Sequence, residues 1–395
     1  MTRISQYCNL NKILLLALGF WPYKQSKLTR FHCNIFRVIL STGIVFQITP
    51  LITLKCTSEL VIKVLSSVSL CTMFLIQYHS YYLNIEVVKN LLIQLEHIHN
   101  KLKDKNEIAI VYKYSCIGKR YTIALTAIGF CGILVLSTSQ IWLNLNDTNL
   151  SIMNVSGPHY FFVMEYFIDQ KKYFYLILLH ACAVLYIGGT VLLAIGTILI
   201  TYIEHTCGMF KIASYRIEHA VNMDLQNTTL KSKILMTEGI ICAVHIHRQA
   251  IKLSKRILST FEAMISCFTG CVVICFSLNL FQLFQITSFK NNVHEFILHF
   301  TYATISILHM FIANYIGQSV IDHNNHVYIA AYNVQWYRTP LHIQRMVLFL
   351  LQRGAIQHTL NIGGLFDASI EGFATVICLY NILELSMNYI IRKNF

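Results

Sequence analysis

The chain has 395 residues, of which 55% are hydrophobic and only 12% are charged. Soluble domains carry about 25% charged residues, so this composition, with a mean hydropathy of +0.54, excludes an ordinary soluble protein. The net charge of +13 would suit a nucleic-acid partner, but no basic run interleaved with aromatic residues stands outside the apolar runs. We therefore expect a lipid bilayer, and no nucleic acid, as a partner of this chain.

The N-terminal apolar run from Ile13 to Phe20 is short and is followed by Trp21-Pro22. A secretory signal would carry a small-residue cleavage site at this point. The run therefore indicates an interfacial cytosolic helix rather than a signal peptide.

Seven later runs approach or exceed the ~20 apolar residues that a membrane-spanning helix needs. No repeat or low-complexity linker divides them, so the sequence predicts an all-α, seven-transmembrane helical bundle formed by one domain over residues 1–395. The predicted spans are 33–54, 60–83, 121–143, 173–200, 263–285, 294–319 and 367–391.

Two independent patterns predict a cytoplasmic N-terminus. With that orientation the inner segments hold 23 of the 31 Lys and Arg residues and the outer segments hold 6, as the positive-inside rule requires. The loop between the third and fourth spans also carries three Asn-x-Ser/Thr acceptor patterns, which are used on the lumenal side. We therefore expect glycosylation at Asn146, Asn149 and Asn154.

The predicted inner segments contain amphipathic helices. From Ile85 to Leu102, and again within 203–262, apolar residues recur at helical spacing among charged ones, which is typical of a helix with one buried face. We expect these faces to pack below the membrane against the segment from Tyr332 to Leu351.

Other residue patterns favour structural roles. Gly188, Gly189 and Gly196 within the fourth span indicate close helix packing. The histidine clusters at 245–247 and 322–326 lack the His-Glu-x-x-His spacing of zinc hydrolases, so we interpret them as solvated loop residues. With no catalytic constellation and no phosphate-binding loop in view, the sequence predicts neither an enzyme nor a metal or cofactor.

The C-terminal third carries several distinctive motifs, which are Ala330-Ala331-Tyr332-Asn333, Trp336-Tyr337, Pro340-Leu341, residues 348–353, Gly363-Gly364-Leu365-Phe366 and Ser369-Ile370-Glu371-Gly372-Phe373-Ala374-Thr375. Together they resemble the insect odorant receptor family. The N-terminal Leu18-Gly19-Phe20-Trp21-Pro22 resembles the family's opening motif. The likeness fits a divergent, odour-tuned member better than the shared co-receptor, which carries a longer second intracellular loop.

The resemblance implies a subunit of an odorant-gated, non-selective cation channel at the plasma membrane of sensory neurons. It implies four subunits, usually with the co-receptor, a volatile odorant as ligand and a final helix that lines the pore. Expected subunit-anchor residues are Tyr332, Trp336, Tyr337, Leu341, Phe349 and Leu350, and expected pore residues are Thr375, Leu379, Ile382 and Glu384.

The resemblance also implies a ligand pocket in the outer half of the bundle. Odorants are small and mostly apolar, so aromatic side chains with few polar groups suit such a pocket, although aromatics near an interface also form belts. By depth in the predicted spans, the candidates are Met73, Phe74, Ser137, Gln140, Trp142, Tyr175, Leu179, His180, Phe300, Tyr302 and Thr304.

The last span departs from the family. Ile382-Leu383-Glu384 stands where the family carries an aromatic motif, so either this pore end has diverged or the final exon is misjoined. Glu384 is a candidate water-facing carboxylate that attracts cations, or a group at the outer interface. Glu371 is expected to support the helix start, because carboxylates favour helix N-termini.

Three alternatives to an odorant-gated channel remain open from the sequence. A gustatory-type receptor shares the architecture, and a G-protein-coupled receptor would need an outside N-terminus. An integral-membrane enzyme would need a catalytic constellation.

Overall fold

The structure, a computed structural model, describes residues 9–54, 56–150, 164–169, 172–222, 230–285, 293–354, 359–362 and 366–378. The side chains of residues 58–59, 139–150, 222, 230, 285, 293–295, 353 and 366 lie outside that description. The described backbone is predominantly helical, as the composition predicts.

Ten α-helices follow one another in the described ranges, with one turn of 3₁₀-helix at Trp336–Arg338 before the tenth. They are α1 (Asn9–Ala17), α2 (Lys27–Ile48), α3 (Pro50–Thr53), α4 (Ser58–Leu83), α5 (Ile85–Lys101), α6 (Lys105–Leu150), α7 (Phe174–Asn222), α8 (Leu230–Gln285), α9 (Val293–Asn333) and α10 (Leu341–Gly354). Strands β1 (Asn361–Ile362) and β2 (Phe366–Asp367) then pair antiparallel, with Ile362 opposite Phe366. Residues 370–378 begin a further helix.

Local sequence explains the main helix boundaries. Ser26 caps α2, since its Oγ accepts a hydrogen bond from the Thr29 backbone N–H at 3.1 Å, and Thr57 caps α4 in the same way. Such caps satisfy N–H groups that have no partner within the helix. Asn84 leaves helical geometry between α4 and α5, which re-aims the chain and turns the apolar face of α5 onto the bundle.

The described ranges contain six stretches long and apolar enough to cross a membrane: 27–53, 60–83, 105–138, 174–221, 231–284 and 296–333. They correspond to the first six predicted spans. The predicted seventh, 367–391, is described only through residue 378, so the seven-span count and the orientation stay predictions.

The helices are much longer than the predicted spans at one end of the bundle. α6 begins at Lys105 rather than at 121, α7 ends at Asn222 rather than at 200, and α8 begins at Leu230 rather than at 263. The amphipathic segments thus extend the apolar helices without a break, and no proline interrupts them. We call this the anchor end; it also carries α1, α5 and α10.

α7 is the central helix. In its most apolar window 56% of the residues are buried, against 22% in α6, and α7 packs on α2, α4, α6, α8 and α9. At Gly188 a Cβ atom would stand 2.1 Å from the Phe74 ring, so the predicted close packing there is confirmed. At Gly196 the prediction of close packing is wrong, since no atom of a neighbouring element lies within 4 Å of the Cβ position.

Candidate functional site

A buried polar group joins three helices toward the end of the bundle opposite the anchor end. We call that end the loop end; it carries residues 164–169, the start of α7, the end of α8 and the start of α9. Asn279 of α8 is fully buried; its Nδ2 donates to Ser66 Oγ of α4 at 2.7 Å and its Oδ1 pairs with His299 Nδ1 of α9 at 2.8 Å. With the amide in this orientation, the hydrogen of His299 lies on Nδ1.

Two predicted ligand residues lie on the same helices as this group. Met73 of α4 packs in an apolar cluster with Cys275, Phe276 and Ala303, and that cluster extends to Val376 in the last helix. Tyr302 is 8% exposed, and its hydroxyl has no hydrogen-bond partner in the described structure. This region therefore offers an apolar environment with an uncommitted hydroxyl, which suits a small ligand with one polar atom.

The other two buried candidates, Phe74 and Ser137, face the central helix α7. Phe74 packs on Gly188 of α7, and Ser137 Oγ of α6 lies 3.0 Å from the Tyr186 hydroxyl of α7. These contacts hold α4 and α6 against the central helix. Phe74 and Ser137 are thus placed in the packing around α7.

His180 of α7 faces α2 and the segment 164–166. Its Nε2 is 3.1 Å from Thr42 Oγ1 of α2, and its Nδ1 is 2.6 Å from the Tyr166 hydroxyl. Tyr166 stacks on Phe46 with ring centroids 4.2 Å apart, and Thr49 Oγ1 donates to the Glu165 carbonyl at 2.8 Å. His180 therefore fastens residues 164–166 to α2 and is not brought together with Tyr302.

The remaining candidates are spread over the outside of the protomer or lie outside the description. Tyr175, Leu179 and Phe300 are 78%, 66% and 55% exposed, and Thr304 donates to the Phe300 carbonyl of its own helix. The side chains of Gln140 and Trp142 are not among those described.

Charged and polar pairs tie the helices together at the anchor end. Arg216 of α7 forms a two-pronged ion pair with Glu107 of α6, with N–O distances of 2.6 and 2.9 Å. Tyr114 of α6 bonds His323 of α9 at 2.7 Å. Asn11 of α1 donates to Thr201 Oγ1 of α7 at 2.9 Å, which docks the N-terminal helix onto the bundle.

The interpretation of the histidine clusters as loop residues is wrong, because both clusters lie within helices, although His245 and His326 are exposed as expected. His247 lies in α8, is buried, and bonds Asn324 Oδ1 of α9 at 2.9 Å, while His326 lies within reach of Ser214 and Lys211 of α7. The histidines mark where two helices meet, and the helix continues through both clusters. The described residues contain no group of three His, Cys, Asp or Glu side chains that could hold a metal ion.

The predicted anchor residues divide into exposed and buried ones. Tyr332, Tyr337, Leu341 and Phe349 are 60–72% exposed, whereas Leu350 is buried and Trp336 packs against the main core. The face of α10 that carries Ile343, Val347 and Leu350 is buried, and His342 bonds Thr237 of α8 at 3.1 Å. The segment thus packs on α8 and α9, while α5 packs under α7, where the Tyr202 hydroxyl donates to the Val88 carbonyl.

α9 positions the start of the last helix. Gln318 Oε1 accepts from the Ile370 N–H at 3.4 Å, and Ser369 Oγ accepts from the Gly372 N–H at 2.9 Å. The capping oxygens come from these two residues and not from Glu371, which is exposed in the first turn. A Cβ atom at Gly317 would stand 2.2 Å from the Ala368 carbonyl oxygen, so only glycine allows this approach.

Most of the predicted pore and all of the predicted glycosylation sites lie outside the described side chains. Thr375 is exposed and donates to the Glu371 carbonyl at 3.0 Å. Leu379, Ile382, Glu384 and Asn154 fall outside the described residues, and the side chains of Asn146 and Asn149 are not described.

Asn279 and His299 were missed by the sequence analysis, which selected pocket residues by aromatic character. An amide and an imidazole inside apolar spans are costly to bury without partners. That cost is a signal which points to paired polar groups, and applying it to the fifth and sixth spans would have found both residues.

Comparisons with known proteins agree with this architecture. Residues 57–380 match the family model described as 7tm Odorant receptor. A putative odorant receptor 92a from Drosophila melanogaster is 27% identical over 109 residues, which is 27% of this chain and 25% of that protein. The fold matches the insect olfactory receptor OR5 from Machilis hrabei in complex with eugenol, with TM-score 0.77, 12% identity and 98% coverage of both chains. A second structure of that receptor matches with TM-score 0.75, 12% identity and 97% coverage of both chains.

Proposed function

This chain belongs to the insect odorant receptor family, and we propose that it forms an odorant-gated, non-selective cation channel in the plasma membrane together with the odorant co-receptor. The observation that carries the proposal is the family match over residues 57–380. The fold likeness along almost the whole chain to a receptor solved with eugenol supports a small organic ligand.

We place the odorant site at the loop end, between α4, α8 and α9. Met73 and Tyr302 supply an apolar surface and a hydroxyl, and Asn279 with His299 fixes the three helices around them. A ligand shifts a channel toward opening only if it binds the open arrangement more tightly than the closed one. The Met73 cluster reaches Val376, so repacking on ligand binding would act directly on the last helix.

We assign the exposed aromatic and apolar side chains of the anchor end to subunit contacts. Tyr332, Tyr337, Leu341 and Phe349 are all exposed within one short segment, and exposed apolar side chains that cluster mark protein–protein contacts. In this arrangement the seventh span, beginning near Asp367, lines the pore with Thr375, Leu379, Ile382 and Glu384. The N-terminus is cytoplasmic, and the loop between the third and fourth spans carries the glycans.

The test is current recording in cells that express this chain, the co-receptor, or both, over a panel of volatile odorants. The proposal predicts a cation current evoked by at least one odorant class with both subunits, beyond what the co-receptor gives alone. A current that needs a G-protein pathway, or an N-terminal tag that antibodies reach on intact cells, would contradict it. An equal odour-evoked current from this chain alone would contradict the heteromer.

A further inference from the structure

A cavity of about 250 Å³ lies in the half of the bundle nearer the anchor end. It is bounded by α4, α6, α7, α8, α9, β1 and the segment that begins the last helix. Its wall is mainly leucine, isoleucine, methionine and phenylalanine side chains, and Gly196 leaves open space in it. None of the predicted odorant-binding residues lines it. It adjoins the Met73 cluster, with which it shares Phe268, Val272, Met310 and Val376.

Two buried amides in the wall carry oxygens without hydrogen-bond partners. Asn314 is 7% exposed, and its orientation is fixed because Nδ2 donates to the Met310 carbonyl at 2.9 Å. Its Oδ1 has no hydrogen-bond partner in the described structure. Gln77 of α4 also lines the cavity, and its Oε1 likewise has no partner there. A buried acceptor without a donor is unfavourable, so a molecule that brings a donor here gains a hydrogen bond that the protein alone does not make.

We propose that this cavity binds a small apolar molecule that carries one hydroxyl group, donated to Asn314 with the apolar body against α7 and α8. Size supports this assignment, since a cavity of about 150 Å³ holds benzene, and 250 Å³ scales to roughly ten non-hydrogen atoms. A lipid acyl chain would fill the apolar part but offers no donor to the amides. The proposal concerns binding alone and stands whether or not the loop end binds odorants.

The occupant touches the junction that places the last helix. Ala368 and Val376 line the cavity together with Gly317 of α9, and Gly317 and Ala368 are in close backbone contact. A bound molecule therefore contacts α9 and the first turns of the last helix at once. Its binding would stabilise one relative arrangement of those two elements.

The test compares two probes, 4-propylphenol and propylbenzene, which differ by one hydroxyl group. Thermal unfolding of the purified full-length chain is followed with each probe, and dissociation constants are obtained by titration. Gly196→Leu fills the cavity, and Gly270→Leu is the matched control, because both glycines are mid-helical with no described atom within 4 Å of the Cβ position and only Gly196 lines the cavity. Asn314→Leu removes the acceptor.

We expect 4-propylphenol to raise the unfolding temperature of the wild type and of Gly270→Leu, with no effect on Gly196→Leu. The phenol should bind about fivefold more tightly than propylbenzene, the ratio that one net hydrogen bond supplies, and Asn314→Leu should remove that preference. No shift in the wild type, an equal response in Gly196→Leu, or a phenol preference that survives Asn314→Leu would overturn the proposal. Because no current is measured, these outcomes leave the proposed channel function to its own test.

Discussion

The anchor end and the α4–α8–α9 region of the loop end are held together by different forces. At the anchor end, helices distant in sequence are joined by an ion pair and by hydrogen bonds such as Glu107–Arg216, His247–Asn324 and Tyr114–His323. At the loop end between α4, α8 and α9, apolar packing surrounds a single polar group centred on Asn279. Polar pairs demand fixed geometry, whereas apolar side chains can repack around a ligand. This contrast supports the proposed assignment of subunit contacts to the anchor end and of odorant binding to the loop end.

The strongest test of this contrast is to break the ion pair of the anchor end. Arg216→Ala leaves the Glu107 carboxylate buried without its cation, which costs about 3 kcal/mol and should lower folding stability and surface expression. Denaturant unfolding of Arg216→Ala, Glu107→Gln and the double variant measures the coupling. Arg216→Lys, which cannot make both bonds, should fall between. Additive losses in the double variant would contradict a tie between α6 and α7.

A second test acts where the two ends meet. Gly317→Ala places a methyl group 2.2 Å from the Ala368 carbonyl oxygen, so the last helix must move away from α9. Overpacking of this kind costs about 1–3 kcal/mol, and we expect the odour-evoked current to fall about tenfold at normal surface level. Gly270→Ala, in open space, is the control. An unchanged current from Gly317→Ala would rule out this junction as the support of the last helix.

At the loop end the expected losses are smaller. Asn279→Leu removes the bonds to Ser66 and His299 while keeping the volume, which should cost about 1–2 kcal/mol and weaken odorant potency more than surface expression. Ser277→Ala is the control, since Ser277 bonds the Val273 carbonyl of its own helix. Equal effects of the two variants would mean that the polar group does not organise this region.

Sequence reasoning reached the helical bundle because its signal, apolar runs of membrane length, is local. It also found the amphipathic faces, whose buried residues Val88, Leu91 and Leu95 repeat at helical spacing. It could not find how helices meet. His247 and His326 looked like loop residues because their partners Asn324 and Ser214 lie 77 and 112 positions away. Gly196 looked like a packing residue because spacing within one helix does not tell which side a neighbour occupies.

The smallest predicted effect is a pH dependence of the anchor end. Burial lowers the pKa of His99 from 6.5 to about 4, and its ring lies 5.0 Å from that of His205. The unfolded chain binds the proton below pH 6.5 and the folded chain does so only near pH 4, so stability is lost as pH falls through this window. We expect His99→Gln to remove about 1 kcal/mol of the loss between pH 7 and pH 5.5, measured by unfolding. An unchanged slope would contradict the buried neutral state.

The division of roles between the two ends is tested most directly by locating a bound odorant. An electron cryo-microscopy map of this chain with the co-receptor and an activating odorant should show ligand density between α4, α8 and α9, beside Met73 and Tyr302. Tyr302→Phe should then weaken odorants with a polar atom about fivefold and leave hydrocarbons unchanged. Odorant density confined to the anchor end, with no change at Tyr302, would contradict the account.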